Sequence, residues 1–233
     1  MAHGGNWRDT AVSEIRIYVE GGGGGKENRA MIRRGLGEFL RELRDAARRY
    51  RIGWNIVASG TRNSTFEDFQ TACRTHPDAF NVLLVDSEGP LESDPYLHLQ
   101  HRNGWTIDMP QERYHLMVQA MESWFIADIK TLQRFYGEFF NESALPRNPN
   151  VEEIEKAQLE LSLINATRRT QKGPYHKVRH GSKLLALIDS ERVRSRAKHC
   201  DRLFVTLAGV MGDGQKTGVT SGHKRQSVRS DWD

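Results

Sequence analysis

Two kinds of hydrophobic pattern alternate along the first 140 residues of the chain. Short apolar or alternating runs predict four β-strands, at residues 15–19, 54–58, 81–85 and 114–121. Apolar residues at helical spacing between and after them predict three helices, at residues 26–50, 64–73 and 122–136. This alternation predicts an α/β fold with a mostly parallel sheet of about four strands flanked by helices.

Local signals refine these elements. Ser64 and Glu67 have the spacing of a capping box, so Ser64 is the predicted N-cap of its helix. Residues 91–110 hold prolines and many polar residues, which predicts an insertion or long loop.

The domain organisation follows from the same patterns. The α/β domain is predicted at residues 14–140, followed by a helical basic extension at residues 141–210. Its helices are expected at residues 151–165, 182–188 and 192–210. Residues 1–13 and 211–233 are rich in Gly, Ser, Thr and charge without apolar periodicity, so both ends are predicted to be disordered.

Composition narrows the class of protein. No apolar run approaches the roughly 20 residues of a membrane helix, so we expect a soluble, cytoplasmic protein without a membrane partner. Cys73 and Cys200 have no partner motif, which gives no support to a disulfide framework or a CxxC metal site.

The net charge of +4 is unevenly distributed. Residues 29–51 contain eight arginines and three acidic residues, and residues 165–200 contain ten Lys or Arg and two acidic residues. The rest of the chain is therefore net acidic. Basic segments beside an acidic remainder suit a protein that holds a polyanion such as nucleic acid, although solvated helix faces would give the same pattern.

Five glycines and Lys26 follow the first predicted strand, as in a phosphate-binding loop. The G-x-x-x-x-G-K-[ST] pattern fails at both ends, because Glu20 and Glu27 stand where a glycine and a hydroxyl residue are needed. A carboxylate facing a phosphate would repel it unless a cation lies between them, so the glutamates raise the question of whether the chain binds a metal ion here.

Acidic residues stand where the predicted strands end. Glu20 ends the first strand, Asp86 and Glu88 the third, and Glu122 follows the fourth. The carboxyl ends of parallel strands meet at one edge, where ligands bind. Carboxylate ligands without His or Cys select Mg²⁺, or Mn²⁺ in its place. Each acid also has a simpler explanation, as a solvated strand end, a turn residue or the cap-region acid of a helix.

Basic residues are predicted near the same edge. Lys26 and Arg62 lie in loops after the first two strands, where each could hold a phosphate or simply be solvated. The stretch HKVRH places His176 and His180 four residues apart, a spacing that zinc sites use, but it lacks the Glu of H-E-x-x-H. The surrounding cations favour a basic anion-binding loop instead.

Four stretches together resemble known families. YVEG with its glycine loop, Glu27 at the head of the next helix, and LLVDSEG resemble the Toprim fold of topoisomerases, primases and overcoming-lysogenisation-defect nucleases. With VQAMESWFIAD (118–128) and YHKVRHGSKLLALID (175–189), residues 15–207 resemble a bacterial Toprim-like family of unknown function, often encoded beside an ATPase. Two departures concern the metal ligands: the glycine loop is longer than the usual E-G-x-x-x-E spacing, and the usual D-x-D is D-x-E here.

The resemblance implies a Mg²⁺-dependent nuclease that cuts phosphodiester bonds, as the effector of an anti-phage defence system with an ATPase partner. Glu20, Asp86 and Glu88 would hold the metal, and Glu27 and Glu122 are further candidate ligands. We expect Lys26 near the scissile phosphate. Five residues would follow the nucleic-acid backbone: Arg62, His176, Lys177, Arg179 and Lys183.

Other functions fit the same residues. A Toprim-shaped subunit that binds nucleic acid or an ATPase without cutting is the main alternative. A small-molecule phosphotransferase would use the same carboxylates but leaves the basic segments unexplained. An oligomer is possible.

Overall fold

The computed structural model describes residues 12–21, 25–91, 94–106 and 109–218. Its sheet has four strands, β1 (Glu14–Glu20), β2 (Gly53–Gly60), β3 (Ala79–Asp86) and β4 (Tyr114–Met117). The strand order is β2-β1-β3-β4, and every neighbouring pair is parallel. The predicted α/β fold with a parallel sheet is confirmed.

The helices alternate with the strands and then continue alone. The described residues form α1 (Lys26–Phe39), α2 (Arg41–Arg49), α3 (Arg62–Thr75), α4 (Pro95–Asn103), α5 (Glu122–Ala127), α6 (Ile129–Tyr136), α7 (Lys156–Thr167), α8 (Ser182–Leu185), α9 (Ser190–Arg194) and α10 (Lys198–Gly218). A π-helical turn, Lys177–Gly181, leads into α8.

The sheet is covered on both faces. Side chains of a strand alternate between faces, so Ile15 and Ile17 pack into one core and Tyr18 into the other. All eight residues of β3 are buried, which explains its continuously apolar sequence. Helices α1 and α2 cover the first face, while α3 and α4 cover the second.

The C-terminal helices share the core of the first face. Phe39 of α1 stacks on Trp124 of α5 with ring centroids 4.9 Å apart. The same ring meets Phe204 of α10 edge to face at 5.7 Å. The predicted helical extension therefore completes the core over the sheet.

One prediction was wrong in part. The segment at residues 91–110, predicted as an insertion or long loop, contains α4. Asp94 caps this helix by accepting a hydrogen bond from the Leu97 amide at 3.1 Å, and Gly104 ends it in the left-handed conformation (φ 65°). Pro95 is the first helical residue, where its missing N–H costs nothing, so this proline starts a helix.

Other predictions were wrong at element boundaries. Thr61, and not Ser64, is the N-cap of α3: its side chain accepts from the Ser64 amide at 3.2 Å. The helices predicted at 26–50 and 122–136 divide at Leu40 and Asp128, and the fourth strand ends at Met117.

The chain ends were predicted to be disordered. Helix α10 runs to Gly218, past the predicted start of the tail at residue 211. The remainder of that prediction, residues 1–11 and 219–233, lies outside the described residues.

Candidate functional site

The connections between strands create a crevice between β1 and β3. From β1 the chain continues through α1 and α2 to β2, on one side of the sheet and over one face. From β3 it continues through α4 to β4, on the other side and over the opposite face. In open parallel sheets, ligands bind at the carboxyl edge where connections diverge in this way. Glu20 and Asp86 end the two strands that border this crevice.

A cavity of about 210 Å³ occupies the crevice. Glu20, Asp86 and Lys177 supply its charged groups. Its apolar wall is formed by Met31, Ile32, Met117, Met121 and Val178. Two acids that were predicted to share this edge do line one cavity, and a lysine accompanies them.

Asp86 is buried and held by contacts on both oxygens. Its Oδ1 accepts a hydrogen bond from the Met121 amide at 2.9 Å, and its Oδ2 lies 3.2 Å from Lys177 Nζ. Burial raises the pKa of this carboxyl; Lys177 opposes the rise, and the nearby charges of Glu122 and Glu88 add to it. The ionised form of Asp86 is therefore less favourable than that of an exposed aspartate, in spite of its contact with Lys177.

Glu20 faces Asp86 across the crevice. Its Oε2 lies 3.2 Å from Arg62 Nη1, which also donates to the backbone oxygen of Asp86 at 2.5 Å. The other terminal nitrogen of Arg62 donates to Asn103 Oδ1 at 3.0 Å. Burial and the charge of Asp86 raise the pKa of Glu20, with Arg62 acting in the opposite direction. One guanidinium thus ties the ends of β1 and β3 together.

Lys177 lies between Asp86 and a second buried acid, Glu122. Its Nζ is 3.7 Å from Glu122 Oε2, and Glu122 Oε1 accepts a hydrogen bond from the Tyr175 hydroxyl at 2.7 Å. Burial alone would lower the pKa of Lys177, but the two carboxylates raise it above its ordinary value. The ammonium group therefore stays charged and compensates both acids.

Glu88 turns away from the cavity. It has a positive φ of 64°, in a turn where its amide donates to the Gln119 backbone oxygen at 3.1 Å. Its side chain forms an ion pair with Lys156 at the start of α7. Burial acts to raise the pKa of Glu88, but Lys156 brings it below its ordinary value. Glu88 is not among the residues that line the cavity.

The other predicted site residues lie farther out. Lys26 and Glu27 are exposed in the first turn of α1 and do not line the cavity. His176, Arg179 and Lys183 are exposed on and around the π-helical turn.

His180, the second histidine of HKVRH, is buried. Its Nδ1 lies 3.0 Å from the Tyr136 hydroxyl and accepts from the His176 amide at 3.2 Å. The histidine side chain is used for packing the turn against α6, so the two histidines do not form a zinc site.

The carboxylates fit a divalent ion of a particular kind. In the described part of the chain, no three His, Cys, Asp or Glu side chains are close enough together to hold a metal. Mg²⁺, however, is commonly held by one or two carboxylates, with water and substrate phosphate as its other ligands. Glu20 and Asp86 match that mode in type and number. The residues present thus fit Mg²⁺ with substrate better than Mg²⁺ alone.

The sequence analysis missed several residues of the site. Tyr175 and Asn103 hold Glu122 and Arg62 beside the crevice, while Lys156 pairs with Glu88 away from the cavity. Arg62 and Lys177 pair with acids instead of standing free for substrate. Tyr175 opens YHKVRHGSKLLALID, one of the stretches that carry the family resemblance, and could have been noticed there. Lys156 carries no signal in the sequence beyond its charge.

These features define an α/β protein with an acidic crevice at the switch point of a parallel sheet. The model of a domain of unknown function, DUF4276, matches residues 19–208, and the chain belongs to that family. The match covers the end of β1, strands β2 to β4 and the C-terminal helices up to residue 208. No curated protein and no solved structure matches the chain. None of the described helices is long and apolar enough to cross a bilayer.

Proposed function

We propose that this protein is a divalent-metal-dependent nuclease of the Toprim type, which hydrolyses phosphodiester bonds with Mg²⁺ or Mn²⁺. One observation carries the proposal: Glu20 and Asp86, from adjacent strands, line one cavity, where burial raises the pKa of both and the charge of Asp86 raises that of Glu20 further. Crowded buried carboxylates are stabilised by a cation, and perturbed acids in a cleft favour a functional site.

Glu20 and Asp86 would hold the metal ion. When bound, the ion would activate water and neutralise charge that develops on the phosphate. The chain's own groups supply the framework. The Met121 amide fixes Asp86, and Arg62 fixes Glu20 relative to the end of β3.

Lys177 has a second task in this proposal. Its side chain is 47% exposed, so the ammonium group can turn from Asp86 toward a phosphate oxygen. A phosphate bound there would replace the carboxylate as its counter-ion. Lys177 would thus pair with Asp86 before the substrate binds and with a substrate phosphate afterwards.

The substrate would be a nucleic acid. Exposed His176, Arg179 and Lys183 surround Lys177, and Lys26 starts the helix across the crevice. Such cations suit a phosphate backbone. From the resemblance, we extend the proposal to an anti-phage effector that works in the cytoplasm with an ATPase partner.

A second function is favoured by a specific observation. Glu20, Asp86 and Glu88 are each paired with a basic side chain of the same chain. Carboxylates that are already compensated would suit a subunit that binds nucleic acid or an ATPase and cuts nothing.

The two functions are separated by Mn²⁺ titration and a cleavage screen. Calorimetry on the wild type and on Glu20→Gln/Asp86→Asn, each with and without an oligonucleotide, should show metal binding only in the wild type and more strongly with the oligonucleotide. Cleavage of long DNA or RNA, but not of nucleotides, should require metal and be lost in the double variant. Metal-independent binding without cleavage, with and without an ATPase, would favour the binding subunit.

A further inference from the structure

An exposed phenylalanine stands in an unusual conformation far along the chain from the acids. Phe139, after α6, is 68% exposed, the highest value among the large hydrophobic side chains that the structure describes as exposed. Its backbone has a φ of 65°, in the left-handed region that bulky residues rarely adopt. Residues held in such conformations cluster at functional sites.

Two arginines share a cleft with this ring. The cleft, of about 270 Å³, is lined by Phe139, Phe140, Asn141, Asn165, Arg168 and Arg169. Both arginines are exposed, and neither guanidinium has a hydrogen bond or ion pair with the residues that the structure describes. The Asn141 amide donates to the Ala166 backbone oxygen at 2.8 Å, which joins the turn that carries Phe139 to the end of α7. Aromatic and cationic groups are therefore presented together on a fixed surface.

A second groove, next to the acidic crevice, also combines cations with an aromatic ring. The groove lies between α1, α6 and α8, and it shares Met31 and Ser182 with the crevice cavity. Arg34 and Lys183 line it together with Phe135. From Phe135, ring contacts lead through the buried Tyr136 at 4.9 Å to Phe140 at a further 6.1 Å, so one aromatic cluster underlies both the groove and the cleft. Cations and aromatic rings thus line the groove beside the crevice and, separately, the cleft that holds Phe139.

We propose that the cleft around Phe139 binds single-stranded nucleic acid, with Phe139 stacking on an unpaired base and Arg168 and Arg169 contacting the flanking phosphates. Positive grooves with aromatic platforms are how proteins hold single strands without sequence preference. A base inside a duplex is already stacked and cannot reach Phe139. The inference rests on the proposed function only in taking nucleic acid as the ligand, and it adds that the strand is unpaired.

Fluorescence anisotropy in EDTA tests binding apart from cleavage. The probes are a labelled single-stranded DNA, the matching RNA, and the DNA duplex of the same sequence. The wild type should prefer the single strands. Phe139→Ala should weaken that binding about tenfold or more, because the base loses the ring on which it stacks. Phe139→Trp should restore the binding, because tryptophan supplies a ring. Both variants keep a β-carbon, so the positive φ at this position affects them equally. The RNA and DNA arms show which strand binds more tightly.

Matched controls isolate each contact. Val205→Ala removes another exposed apolar side chain, on α10, and should leave binding unchanged. Arg169→Ala should reduce the slope of log affinity against log salt by about 0.7, as loss of one phosphate contact does on a single strand. Arg74→Ala removes the same charge from α3 and should not.

Clear results would overturn the inference. Equal binding by Phe139→Ala and the wild type, failure of Phe139→Trp to restore binding, or tighter binding of duplex would each do so. None of these results depends on cleavage, so the inference and the nuclease proposal can fail separately.

Discussion

The two walls of the crevice carry equivalent acids but hold them differently. On the β3 wall, Asp86 is 5% exposed and fixed through the Met121 amide and Lys177. The turn beyond it is held further, since Ser87 Oγ accepts from the Gln119 amide at 2.6 Å. On the β1 wall, Glu20 is 22% exposed, and Arg62 is the hydrogen-bonding partner of its side chain among the described residues. Asp86 is therefore held by a backbone amide and a lysine, while the side chain of Glu20 is held by one guanidinium.

The difference suggests a division of roles. A carboxylate fixed by backbone and ammonium keeps its position whether or not a ligand is present. A carboxylate held by one arginine can adjust when a ligand arrives. We therefore expect Asp86 to define the site and Glu20 to complete it, and the following predictions test that asymmetry.

The largest effect is expected on cleavage. Asp86→Asn should reduce the rate by about 10²–10³-fold, because a metal ligand supplies several kcal/mol of transition-state stabilisation. Glu20→Gln should reduce it less, since its wall can adjust. Cleavage rates at saturating Mg²⁺, with oligonucleotide affinity as the control, measure both. A larger loss in Glu20→Gln would reverse the proposed roles.

Removal of the ammonium group should destabilise the β3 wall. Lys177→Ala leaves Asp86 and Glu122 buried without that cation, so the free energy of unfolding should fall by about 1–3 kcal/mol. The loss should shrink as the pH falls, because protonated acids no longer need the cation. Mg²⁺ should recover part of it if the crevice binds metal. Urea unfolding measures each, with exposed Lys183→Ala as the control; equal effects of the two variants would contradict the prediction.

The packing of α1 on α8 beside the crevice depends on one glycine. A methyl group at Gly35 would collide with the backbone oxygen of Ser182, where α1 packs on α8. Gly35→Ala should therefore destabilise the protein by about 1–3 kcal/mol and weaken cleavage. Gly37→Ala, whose nearest neighbours are 3.8 Å away, should stabilise it by up to about 1 kcal/mol through helix propensity. Thermal unfolding of the two variants measures both effects. Equal melting temperatures for Gly35→Ala and Gly37→Ala would contradict the close contact at Gly35.

The smallest effect concerns Glu88. Because Lys156 lowers its pKa in the folded protein, this ion pair stabilises the fold above the ordinary glutamate pKa of about 4.3. The contribution is lost as the pH falls through the lowered value. Lys156→Met should cost less than about 1 kcal/mol at neutral pH, as exposed pairs do, and nothing in strong acid. A pH-independent cost would show that packing, and not charge, is responsible.

The sequence predicted the parts of this molecule that are encoded locally. The four strands and the acids at their ends follow from short patterns, and the sheet topology brought Glu20 and Asp86 together as expected. The cations that accompany them are 42 and 91 residues away along the chain, in Arg62 and Lys177, and no local pattern predicts those pairs. Helix α4 was missed because the prolines and polar residues of its segment were interpreted as breakers, although Asp94 before Pro95 has the order of an N-cap followed by a first-turn proline.

The shared core of the first face limits which segments of this protein can change independently during evolution. Phe39, Trp124 and Phe204 come from the start, the middle and the end of the folded chain, and their rings touch one another in series. Neither the sheet nor the C-terminal helices could be exchanged for an unrelated segment without exposing core residues of the other. The acidic edge of the sheet and the basic segment at residues 165–200 would therefore have to be retained together, and the family match over residues 19–208 includes both.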